Sequence, residues 1–112
     1  MADEIEFMRV GALGEVPEGE MRAYDTSAGR VAVAHLEATL FAFADECPAG
    51  GCSLAEGTFD ERTALVECAT DHSVFDVETG EPVEGPAVDP LSIFKAREVD
   101  GWIEVATRAG EG

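Results

Sequence analysis

Residues 47–54 read CPAGGCSL, and residues 67–80 read ECATDHSVFDVETG. Each segment is a short loop led by a cysteine, and each stops just short of a complete metal-binding pattern. The three cysteines of the chain, Cys47, Cys52 and Cys68, all fall in these two loops. An odd cysteine count argues against a disulfide framework, whereas clustering in two loops points to a shared local role.

Outward from the loops the chain reads as short strands punctuated by turns, with little that is helical. Residues 5–10 (IEFMRV) hold Ile5, Phe7 and, after a slip, Val10, as a first strand does. EVPEGEMRAY carries a Pro–Glu–Gly turn signal between strand-like segments. In 30–36 (RVAVAHL) Val31 and Val33 alternate, with His35 an imperfect third, and in 40–45 (LFAFAD) Phe41 and Phe43 share a face. LEATL between them is expected to turn as a hairpin. TALVEC (63–68) and VFDVE (74–78) read as further strands, the latter closed by TGEP. LSIFKAREV (91–99) and WIEVAT (102–107) are joined by Asp100–Gly101, the strongest hairpin signal in the chain. Twelve glycines and five prolines suit a turn-rich, all-β antiparallel sandwich or barrel. Residues 108–112 (RAGEG) look like a tail.

At 112 residues with 46% hydrophobic content the chain is expected to be one globular domain. Asp and Glu total 24 against 7 Lys and Arg, a net charge of −17, and Lys95 is the sole lysine. That balance repels nucleic acid and anionic membrane surfaces and suits docking on a basic patch of a protein partner. It also fits a surface kept acidic for solubility alone. No apolar run reaches the ~20 residues of a membrane span, and MADEIEFM lacks the basic and apolar regions of a signal peptide. A cytoplasmic protein is expected. No nucleophile–base set, phosphate loop or nucleotide fingerprint is present, which argues against a stand-alone enzyme.

The order strand–CPAGGCSLAEG–strand–VECATDHSVFDVETG–EGPAVDPL–hairpin resembles the Rieske-type [2Fe–2S] ferredoxins, and most closely the ferredoxin components of aromatic-ring dioxygenases. The resemblance covers nearly the whole chain, from IEFMRVGALGEVPEGE through VAVAHLEATLFAFADEC to DGWIEV. Phe75–Asp76 follow Cys68 at the family's spacing. It implies a Rieske-type antiparallel β-sandwich over 1–112, with a small cluster-binding-like subdomain at about 45–80. It further implies electron transfer to a multicomponent oxygenase, with the acidic chain docking on a basic oxygenase or reductase.

In that family one iron is held by two cysteines and the other by two histidines, as Cys-x-His in the first loop and Cys-x-x-His in the second. Histidine on one iron removes thiolate charge and raises the potential. Carried over, Cys47 and Cys68 occupy the cysteine positions, while the histidine positions fall on Ala49 and Asp71. An alanine methyl cannot ligate, and a carboxylate is a hard oxygen donor unlike imidazole. Standard Cys2His2 ligation is therefore excluded. His72 lies one residue late, where the family usually has glycine. Related high-potential proteins place a cysteine at the position of Cys52 for an inter-loop disulfide, but its mate's position is Thr70 here.

Three readings stay open. An atypical [2Fe–2S] cluster or a zinc site could use Cys47 and Cys68 with Cys52, Asp71 or His72. Alternatively the cluster is gone and the fold serves as a protein-interaction module, as in the small subunits of NADH-dependent nitrite reductases. Cys47 and Cys68 would then pair as a disulfide or stay as thiols. Lastly, the cysteines are compact apolar residues in tight loops. Of the rest, His35 reads as a surface or half-buried strand residue and Trp102 as core or rim packing. Gly50, Gly51 and Gly57 read as positive-φ loop positions, and Pro86 and Pro90 as a rigid loop.

Overall fold

The computed structural model describes residues 7–26, 29–47, 53–85 and 87–106. Among the described residues eleven strands run β1 (Phe7–Ala12), β2 (Met21–Thr26), β3 (Gly29–Leu36), β4 (Thr39–Ala44), β5 (Thr58–Asp60), β6 (Leu65–Glu67), β7 (Val74–Asp76), β8 (Pro82–Glu84), β9 (Ile93–Phe94), β10 (Ala96–Val99) and β11 (Trp102–Ala106). They form three antiparallel sheets, β1-β11-β10, β2-β3-β4-β9 and β5-β6-β7-β8. Helical structure among the described residues is confined to single 3-10 turns at Leu13–Glu15 and Leu54–Glu56. None of it is long and apolar enough to cross a membrane.

The β2-β3-β4-β9 sheet is the middle layer, and period-2 alternation explains why. Val31, Val33, Leu40 and Ala42 join a core with Ile103 and Val105 of the first sheet. Ala32, Ala34, Phe41 and Phe43 join a second core with Val66, Phe75 and Val77 on the side of the third sheet. Both faces are thus buried, so β3 reads as nearly continuous apolar sequence. Phe43 and Phe75 are fully buried, and each contributes roughly 1.5–3 kcal/mol by that burial. Cys47, Leu54 and Cys68 belong to this second core.

The turns behave as their residues dictate. Glu20 N–H donates to the Pro17 carbonyl at 3.0 Å around Gly19, whose φ is +87°, the geometry that requires glycine at the third position of a type II turn. Asp100 (φ +52°) and Gly101 (φ +84°) close the β10–β11 hairpin. The slip before Val10 is a β-bulge between Arg9 and Gly11, which turns Val10 onto the core of the first two sheets. Ile5 and the tail at 108–112 lie outside the described residues.

Two departures from expectation are informative. LSIFKAREV is not one strand. Ile93 and Phe94 pair with β4, whereas Ala96–Val99 pair with β11, so the chain crosses between sheets at Lys95. β5 and β8 were not foreseen: each is three residues long, and β8 opens on Pro82, which a sheet tolerates at an edge. His35 is half-buried, as expected, with Nδ1–H donating to the Val16 carbonyl at 2.8 Å. Trp102 sits at the rim under the Arg9 guanidinium, 4.7 Å from the ring centroid.

The β3–β4 turn forms where LEATL predicts it, but with Glu37 (φ +51°) and Ala38 (φ +66°) in the left-handed region. Alanine is strained there, although Glu18 Oε2 accepts from its N–H at 3.0 Å. Ala38→Gly is expected to stabilise the protein by about 0.5–1 kcal/mol, the relieved strain exceeding glycine's added chain entropy. Chemical denaturation checks it; an unchanged or lower midpoint contradicts it.

Candidate functional site

The first loop leaves β4 and is anchored at its root by Asp45. This carboxylate is buried, a placement that demands partners. Its Oδ2 accepts from the Ser53 hydroxyl at 2.5 Å and lies 3.1 Å from Arg30 Nε, while Oδ1 accepts from the Ala55 N–H at 2.7 Å. One side chain therefore clasps both ends of the loop that carries Cys47. Asp45 and Ser53 carry no short-range spacing signal that would mark them in the sequence.

The second loop joins β6 to β7 and is drawn tight by its own backbone. Cys68 N–H donates to the Ser73 carbonyl at 2.8 Å, and His72 N–H donates to the Cys68 carbonyl at 2.9 Å. Buried Ser73 accepts from the Ala87 N–H through Oγ at 3.1 Å, which ties the stretch after β8 over the loop. Gly85 lies against it, since a Cβ there would stand 2.5 Å from Ser73 Cα. On the other flank Gly57 contradicts its expected role. Its φ is −90°, and it is needed because a Cβ would fall 1.9 Å from the Glu67 carbonyl oxygen. Close approach, not a left-handed backbone, selects glycine there.

Cys47, Cys68 and Asp71 converge, with one potential ligand atom from each lying within 4.8 Å of the others. Both cysteines are buried and Asp71 is half-buried. Cys47 is a free thiol whose Sγ–H donates to Asp71 Oδ2 at 3.2 Å. It is therefore not paired with Cys68. Cys68 is disulfide-bonded, and its Sγ accepts from the Thr70 N–H at 3.4 Å. Asp71 Oδ1 also accepts from the Ser73 N–H at 2.9 Å. That bond above all, then the Ser73 hydroxyl and the Cys47 thiol, holds the Asp71 carboxyl below its usual range. Asp71 is thus ionised at neutral pH.

His72 is not brought to this group. Its backbone is left-handed, φ +63°, and its ring is turned outward, Nδ1 lying 3.0 Å from Glu67 Oε2. Positive φ at His72 explains why glycine would suit the position. Ala49, Gly50, Gly51, Cys52 and Pro86 lie outside the described residues.

Residues 6–95 match the family model for the Rieske [2Fe–2S] domain. The chain is 33% identical to the anthranilate 1,2-dioxygenase ferredoxin subunit of Burkholderia cepacia, over 89% of this chain and 91% of that one. Among solved structures it is similar to the ferredoxin of carbazole 1,9a-dioxygenase from Nocardioides aromaticivorans IC177, with TM-score 0.86, 26% identity, and coverage of 91% and 98%. It is also similar to a chain in the complex of reduced oxygenase and oxidized ferredoxin in carbazole 1,9a-dioxygenase, with TM-score 0.85, 28% identity, and coverage of 95% and 97%.

Proposed function

The chain belongs to the Rieske [2Fe–2S] domain family, and on that premise we propose that it is the electron-transfer or accessory component of a multicomponent oxygenase-type system, not an enzyme by itself. The ferredoxin subunits among its relatives support this, as does the solved oxygenase–ferredoxin complex. The net charge of −17 suits docking on a basic surface of a protein partner, steered over distance and weakened by salt.

The observation that carries the site is the convergence of Cys47, Cys68 and Asp71. These are three of the four positions the family pattern uses, within the stretch 45–80. The donors do not fit Cys2His2 ligation. They fit an atypical centre in part, being three donors where a [2Fe–2S] cluster or a closed zinc site takes four. Cys52 is the candidate for the fourth, with His72 a remoter one. A bound [2Fe–2S] centre supplies one-electron chemistry. Asp71 brings negative charge where the family has neutral imidazole, which opposes the high potential that histidine confers. Cys68 can ligate only once its disulfide is reduced.

A second reading draws on that disulfide and on the Cys47–Asp71 hydrogen bond, which satisfy the site without metal. The chain is then a cluster-free interaction module on the same fold. Iron, zinc and acid-labile sulfide per chain, measured in protein purified without oxygen and with a thiol reductant, decide between them. About two irons and two sulfides mean a [2Fe–2S] carrier. About one zinc without sulfide means a structural metal site. None of these in folded protein overturns the carrier reading in favour of the module.

A further inference from the structure

The third sheet has a core face and an outer face, and the outer face is concave. Phe59, Val66 and Phe75 point into the core, so by alternation Thr58, Asp60, Leu65, Glu67 and Val74 point outward. Thr58, Glu67, Val74 and Glu84 form one row across the four strands. With Asp60, Leu65 and Val83 they line a depression of about 280 Å³, and Val83 is 51% exposed on it. Its floor is aliphatic and its rim carries the carboxylates of Asp60, Glu67 and Glu84. Small-molecule sites run from roughly 300 Å³ upward, so the space suits one long side chain better than a cofactor.

Charge and position say whose side chain. Among the described residues the basic side chains beside the depression are Arg62, 3.7 Å from Asp60 with its side chain 85% exposed, and His72, whose Nδ1 lies 3.0 Å from Glu67. Glu67 directly precedes Cys68, so the depression is continuous with the second loop. A chain of net charge −17 draws in basic surfaces, and an arginine has both an aliphatic stem for the floor and a planar head that can bridge two carboxylates. We propose that this depression is a docking pocket for an arginine side chain on the basic face of the protein partner, its stem on Leu65, Val74 and Val83 and its guanidinium between Glu67 and Glu84, which flank Val74 in one row. The assignment rests on the partner-docking role argued above, and it places the partner beside the candidate metal centre.

The test uses the full chain as purified, whatever its metal content, so it stands or falls separately from the metal site. The isotope-labelled protein is titrated with acetyl-Gly-Arg-Gly-amide and with its uncharged citrulline analogue while amide NMR shifts are followed. The arginine peptide is expected to move the amides of Thr58, Leu65, Val74, Val83 and Glu84 most, and the citrulline peptide at least tenfold less at equal concentration. Glu84→Gln and Val83→Ser should each weaken binding threefold or more. Glu98→Gln on β10 makes the same change in net charge and should leave affinity unaltered. Shifts spread evenly over the acidic surface, or equal losses in Glu84→Gln and Glu98→Gln, would mean general charge attraction and overturn the pocket.

Discussion

Replacing Ala49 and Asp71 together by histidine is expected to give a protein that binds about two irons and two acid-labile sulfides per chain, whatever the parent holds. Carried onto this chain by resemblance, the family pattern asks for imidazole at these two positions and would have its thiolates at Cys47 and Cys68. Residue 71 is already placed for the task, since its carboxylate reaches to 3.2 Å from Cys47 Sγ, and an imidazole has comparable reach. The substitution has a cost in the metal-free state. Asp71 caps the N–H of buried Ser73, and an orphaned buried donor costs about 1–3 kcal/mol. The variant should therefore be less stable than the parent without iron and regain stability when loaded, because metal bound only by the folded form adds to folding free energy. Iron, sulfide and thermal unfolding of loaded and unloaded protein read this out. A folded double variant that takes up no iron under reducing, sulfide-rich conditions would show that the loops have left the family's shape as well as its ligands.

Much of this architecture is legible in the sequence where the signal is local. Asp100–Gly101 and Pro17–Glu18–Gly19 specify their turns by backbone preference alone, and Phe41 and Phe43 share a face because strand periodicity leaves no choice. The meeting of Cys47, Cys68 and Asp71 follows from the family pattern, though spacing alone says nothing of it. What escapes is set by contacts distant in sequence. The crossing at Lys95 has no glycine or proline to mark it, since β9 and β10 are both apolar on the faces they bury. The Glu37–Ala38 turn has positive φ at residues that disfavour it, held by the hairpin register on either side. Asp45 reads as an ordinary acid ending a strand until the fold brings Arg30, Ser53 and Ala55 around it. His72 could have faced the cysteines or Glu67 at the same spacing; its left-handed backbone and the Glu67 carboxylate settle the choice.

Gly57→Ala is expected to be the most damaging single methyl addition in the described chain. A Cβ at 57 would stand 1.9 Å from the Glu67 carbonyl oxygen, 3.1 Å from its carbon and 3.2 Å from the Ala69 nitrogen. These are backbone atoms of β6 and the second loop, so no side chain can swing aside and the loops must part. The first loop has little freedom to yield, because Asp45 holds Ser53, at the start of the 3-10 turn that leads into Gly57, and Ala55 within it. Nor can β6 shift readily, with Val66 fully buried and both neighbours paired to it. Overpacking of this kind costs about 3 kcal/mol or more, which lowers the melting temperature of a domain this size by about 10 °C or more. Gly14→Ala is the matched control: nothing lies within 4 Å of its added methyl, and its effect should stay within about 0.5 kcal/mol. The consequence reaches the site, because Gly57 packs where the first loop meets the residues around Cys68. Parting the loops separates Cys47 from Cys68 and Asp71, so any metal the parent retains should be lost with the stability. An alanine variant as stable as the parent would mean that the two loops do not press together at Gly57, and the convergence of the three donors would then need another cause.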